Sequence, residues 1–93
     1  MPVIKEETKI KRKDNVPLKR FDDKLIILDL KSGDYFSLSE EAGFIWDRLN
    51  GKDTLGMIAQ ELVRSYDASF ERALKDTFEF AKLLFRRKLA RKI

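Results

Sequence analysis

The apolar positions of the chain change period once. From Lys24 to Leu30 the run KLIILDL is apolar, β-branched and of strand length, which suits a pleated, half-buried surface. Ser32-Gly33 supplies a turn, with Gly33 free to take positive φ. Tyr35 to Leu38 is the return strand, with Phe36 and Leu38 on one face and Tyr35 and Ser37 on the other. Upstream, Val16-Pro17-Leu18-Lys19-Arg20-Phe21 has a strand-like end, and Pro17 confines it to an edge or a strand start. Asp22-Asp23 makes a short connection. The pattern predicts a three-stranded antiparallel meander over roughly 17–21, 24–30 and 34–38.

From Ser39 onward the period is helical. Ser39 can cap a helix carrying Ala42, Ile45, Trp46 and Leu49. Asn50-Gly51 stops it, with Gly51 as a natural C-terminal cap. Asp53 or Thr54 caps the next helix, where Leu55, Ile58, Ala59, Leu62, Val63 and Tyr66 form one amphipathic stripe. Asp67-Ala68-Ser69 breaks it, and Ser69 can cap a last helix over about 70–88. There Ala73, Thr77, Phe80, Ala81 and Leu84 can face the core. Leu74, Phe78 and Phe85 lie on the adjoining flank, interleaved with Lys75, Lys82 and Arg86. That flank is either the margin of a wide core face under snorkelling lysines or a half-exposed groove wall rimmed by cations. The element order predicts an α+β fold, a winged helix-turn-helix with a three-stranded antiparallel sheet followed by three helices.

Composition narrows the function. Ninety-three residues make one domain with a small core. The chain has no cysteine and no histidine, which removes thiol nucleophiles, thiolate metal sites and the commonest general base. No spacing singles out a carboxylate pair. The expectation is a protein that is not an enzyme, with no catalytic residue, no metal site and no cofactor. No apolar run approaches the roughly 20 residues of a membrane span, and no signal-peptide pattern opens the chain, so a cytoplasmic protein with no membrane partner is expected.

The net charge of +4 is unevenly spread. Residues 1–20 carry a net +4, residues 86–93 a net +5, and residues 21–85 a net −5. The basic ends are either solvated tails or a source of attraction to an acidic partner. Residues 1–13, charged and without a period, are expected to be a mobile basic segment. A helix-turn-helix arrangement makes DNA a rival partner. Yet the last helix exposes Glu71, Asp76 and Glu79, which face phosphates unfavourably, and its start has no Asn/Gln/Arg cluster for base edges. Nucleic acid therefore ranks second.

Many weak signals now occur in one order: Leu25–Leu30, Gly33, Tyr35-Phe36, Leu38, Ile45-Trp46, Asn50-Gly51, Thr54, Ile58-Ala59, Tyr66-Asp67, and Asp76 with Phe80. This series resembles the PqqD-like family, the peptide chaperones also called RiPP recognition elements, over about residues 14–89. Two positions depart from the family pattern. Leu38-Ser39-Glu40 stands where Leu-Asn-Glu is frequent, and Lys88-Leu89 stands where a Gly before Leu often ends the last helix, so that helix is expected to run on into the basic tail. The resemblance implies a domain over 14–89 between the mobile segment 1–13 and a basic tail 90–93. It implies a non-catalytic protein that binds the leader of a ribosomally made precursor peptide and presents it to a modifying enzyme, whether protease, cyclase or radical enzyme.

The leader would add as a strand beside Asp34, Tyr35, Phe36, Ser37 and Leu38. Its side chains would drop against a wall of Leu74, Phe78 and Phe85 with Lys75 and Lys82 as the rim. A discrete chain with its own basic extension leans towards the lasso-peptide type rather than the pyrroloquinoline quinone (PQQ) type. An edge strand of this kind can also pair with its own copy, so the chain is expected to be a monomer or an edge-paired dimer.

Overall fold

In a computed structural model, which describes residues 3–22 and 24–93, the chain runs β1 (Lys9–Arg12), β2 (Leu18–Phe21), β3 (Lys24–Leu28), β4 (Tyr35–Leu38), α1 (Glu40–Arg48), β5 (Asn50–Thr54), α2 (Leu55–Tyr66), α3 (Phe70–Arg86) and β6 (Ala90–Lys92). Asp23, half of the expected Asp22-Asp23 connection, lies outside the described residues, as do Met1 and Pro2. The three helices form where their spacing and caps place them. Ser39, Thr54 and Ser69 each sit in extended backbone, and their hydroxyls accept from Ala42, Met57 and Arg72 main-chain N–H groups, which satisfies one orphan donor per helix start. Asp67 takes the left-handed conformation that ends α2.

The expected meander is present as a sheet of order β2-β3-β4, all antiparallel. Gly33 has φ 78° in the β3–β4 turn, and its N–H donates to the Asp29 carbonyl at 2.7 Å. Leu25 and Ile27 are buried opposite Leu38 and Phe36, so one face of this sheet packs on the helices. The largest buried side chain, Trp46 on α1, joins these residues in a single core with Ile58, Leu62 and Leu84.

A second sheet, of order β5-β1-β6, corrects the expectation for both ends of the chain. Residues 9–12 form its central strand rather than part of a mobile segment, and residues 90–92 form a strand rather than a tail. The physical reason is that this segment satisfies two helix ends. Arg12 donates from Nη1 to the carbonyls of Trp46 and Asp47, both at 3.2 Å, where α1 leaves acceptors unpaired. The carbonyls of Thr8 and Glu6 accept from Leu55 and Gly56 N–H at 2.9 and 2.8 Å, at the start of α2. Ile10 is fully buried among the core residues.

The same sheet changes two further readings. Asn50-Gly51 does not cap α1: the cap is Leu49, and Gly51, at φ 80°, lies within β5. A Cβ there would come within 3.4 Å of both Lys11 and Ile93. The last helix stops at Arg86 and does not run into the tail, because Lys88 adopts φ 56° and Leu89 turns back into the core.

Candidate functional site

The edge of β4, an outer strand of its sheet as β2 is, leaves backbone groups unpaired beside α3. In an antiparallel ladder, residues alternate between bonding towards one neighbour and the other. Asp29 N–H donates to the Asp34 carbonyl at 2.9 Å, and Leu28 N–H donates to the Pro17 carbonyl on the opposite side. The register of the two pairings carries this alternation forward. Asp34, Phe36 and Leu38 therefore bond inward to β3, and the N–H and C=O groups of Tyr35 and Ser37 point away from the sheet. These four groups form the unpaired edge of β4 among the described residues, so the expected run Asp34 to Leu38 narrows to two residues for main-chain pairing.

Beside this edge, β4 and α3 enclose a narrow apolar cleft. Phe36 and Leu38 line one side, and Phe80, Leu83, Leu84 and Arg87 the other. Its volume is about 10 Å³, close to the least that admits one water, so the walls are packed against each other. Arg87 closes the end nearest the β3–β4 turn. Its guanidinium lies 4.6 Å from the centre of the Phe36 ring, and Nη1 is 3.6 Å from an Asp34 carboxylate oxygen.

The expected helix wall is on the other side of α3. Steps of 100° per residue place Leu74, Phe78 and Phe85 on one flank of the buried stripe Ala73-Thr77-Ala81-Leu84, and Phe80, Leu83 and Arg87 on the opposite flank. The cleft with β4 uses the second flank. Leu74, Phe78 and Phe85 are half-buried against the core, and Lys75 and Lys82 are exposed beside them. Sequence reasoning assigned Phe80 to the core and did not single out Leu83 or Arg87. The helical phase separates the two flanks, but the side facing β4 is set by how α3 crosses the sheet.

On the strand, Tyr35 is 72% exposed on the outer sheet face, where Ser37 is exposed too, whereas Phe36 is half-buried and Leu38 buried on the inner face. Elsewhere, Phe44 packs edge-on against Tyr66 at 5.5 Å between centroids, with the Arg48 guanidinium stacked over Phe44. The Tyr66 hydroxyl donates to Glu40 at 3.3 Å. Burial raises the Tyr66 pKa above the ordinary tyrosine range, and the Glu40 carboxylate adds to the rise. This cluster joins α1 to α2 and lies apart from the β4 edge. No helix among the described residues is long and apolar enough to cross a membrane.

Comparison with known proteins gives concordant findings. The family model described as "Coenzyme PQQ synthesis protein D (PqqD)" matches residues 24–90. One similar solved structure is "TbiB1 in Complex with the TbiA(beta) Leader Peptide", at 25% identity and a TM-score of 0.74, covering 86% of this chain and 93% of that one. Another is "Lasso peptide synthetase B1 complexed with the leader peptide", at 23% identity and a TM-score of 0.75, covering 89% and 98%; at that identity the likeness shows the fold alone. No curated protein sequence matches the chain.

Proposed function

Because the chain belongs to the PqqD family, we propose that it is a non-catalytic recognition protein that binds the leader of a ribosomally made precursor peptide and presents it to a modifying enzyme. The observation that carries this reading is the unpaired edge of β4 beside the apolar cleft with α3. Strand addition draws affinity from main-chain hydrogen bonds and selectivity from pockets for alternate side chains. Tyr35 and Ser37 offer the bonds. Phe36, Leu38, Phe80 and Leu83 offer the pocket. The protein supplies no histidine or cysteine for chemistry, so the reaction belongs to the enzyme that receives the peptide. The pathway is carried out in the cytoplasm, and the β4 edge that takes the peptide is the same edge that a second copy of the chain would pair with in a dimer.

The test is a fluorescence anisotropy titration of the full chain into labelled leader segments of short precursor peptides, chosen by searching the genes that flank its own. Saturable binding that survives a shuffled-sequence competitor is expected. Equal binding of the leader and its shuffled control would refute the reading, and so would modification of the precursor by this chain alone.

A further inference from the structure

We infer that Arg87 is the specificity-determining residue of the β4 edge, selecting a peptide that carries a carboxylate two residues from an apolar anchor. The inference rests on the strand-addition reading. Because Tyr35 and Ser37 bond outward, the peptide residues opposite Phe36 and opposite Asp34 both turn their side chains to the inner face. The residue opposite Phe36 meets the cleft, whose walls are apolar except for Arg87. The residue opposite Asp34, two positions along, meets the Arg87 guanidinium.

At about 10 Å³ the cleft admits no side chain as it stands. Phe36 is held by the β4 ladder, and Leu83 by the body of α3. Arg87 lies just past the last residue of α3, and its side chain is 39% exposed. Its two contacts, an ion pair at 3.6 Å and a ring face at 4.6 Å, are of the surface kind that is weak singly. Arg87 is therefore the part that moves. An apolar anchor replaces the guanidinium over Phe36, and the displaced guanidinium needs a new partner. Its planar fork of five donors can serve two carboxylates at once, so it can keep Asp34 and take an acidic residue of the peptide. Asp34 holds the guanidinium at the mouth of the cleft before the peptide arrives.

The experiment pans a random dodecapeptide display library against the full chain, its Arg87→Ala variant and its Arg87→Glu variant. Recovered peptides are counted when they protect the Tyr35 and Ser37 amides from exchange. Peptides recovered by the native chain are expected to place Asp or Glu two residues from an apolar residue. Replacing that acid by its amide in a synthetic copy should weaken binding to the native chain about two- to five-fold, and leave binding to Arg87→Ala nearly unchanged. Arg87→Glu should prefer Lys or Arg at the same position. Edge-binding peptides without an acid preference, or with the same preference in all three proteins, would overturn the inference while leaving strand addition standing. Failure to recover any peptide that protects Tyr35 and Ser37 would overturn both. Arg87→Gln, which keeps a long polar side chain and removes only the charge, repeats the acid-to-amide comparison should Arg87→Ala fold poorly, and the same acid preference in it would overturn the inference.

Discussion

Phe78 and Leu83 lie on opposite flanks of α3, and exchanging each for alanine separates the two possible walls. Phe78 is half-buried and packs against the core. A fully buried Phe→Ala change costs about 3–5 kcal/mol, so a half-buried one should cost about 2–3 kcal/mol. In a domain of this size each kcal/mol moves the melting temperature by about 4–8 °C, so Phe78→Ala should lower it by roughly 10–20 °C. Leu83 is also half-buried but lines the β4 cleft. Leu83→Ala should cost only about 1–2 kcal/mol of stability and more than about 1 kcal/mol of peptide affinity, as an anchor pocket does. The assay is a circular dichroism melt for each variant beside an anisotropy titration with the labelled leader, run below every melting transition. Folded Phe78→Ala should bind within about two-fold of the native chain. A Phe78→Ala protein that melts normally and has lost the leader would place the wall on the flank that the structure turns away from β4.

Three other perturbations test separate parts of the account. Ile10→Ala should destabilise the protein by about 2–4 kcal/mol in urea unfolding, because the side chain is fully buried; a change within error would restore a mobile N-terminal segment. Burial and then Glu40 raise the Tyr66 pKa, so the stability this group contributes is complete below the unfolded tyrosine pKa and is lost as pH rises through the higher folded value. Tyr66→Phe should therefore flatten the alkaline fall in stability, measured by urea unfolding between about pH 8 and pH 11, and an unaltered fall would discount the Tyr66–Glu40 contact. Duplex DNA should bind weakly and without sequence preference, falling steeply with added salt; tight, sequence-selective binding at physiological ionic strength would reinstate nucleic acid as the partner.

The elements that were legible in the sequence are those with their own period and their own caps. The run Leu25–Leu28 and the Gly33 turn have no competing local solution, and Ser39, Thr54 and Ser69 stand where helix starts need acceptors. The second sheet was not legible, because Lys9-Ile10-Lys11-Arg12 contains one apolar residue among three cations. Its strand character comes from partners about 40 and 80 residues away in the chain, at Asn50–Thr54 and Ala90–Lys92. Gly51 misled for a related reason: its positive φ was legible, but its use in a strand under Lys11 and Ile93 depends on that sheet. The candidate site was half legible. The β4 edge follows from strand order, whereas the choice between Phe78 and Leu83 as its wall depends on a crossing geometry that no helical period records.

Amide hydrogen exchange at β4, measured residue by residue with and without the leader, tests strand addition most directly. The Phe36 N–H already bonds to β3 in the ladder pairing Phe36 with Ile27, so little change is expected there. Tyr35 and Ser37 should gain protection of about the tenfold or more that a persistent main-chain bond gives. Saturating leader that leaves both amides exchanging as in the free protein would contradict strand addition at this edge.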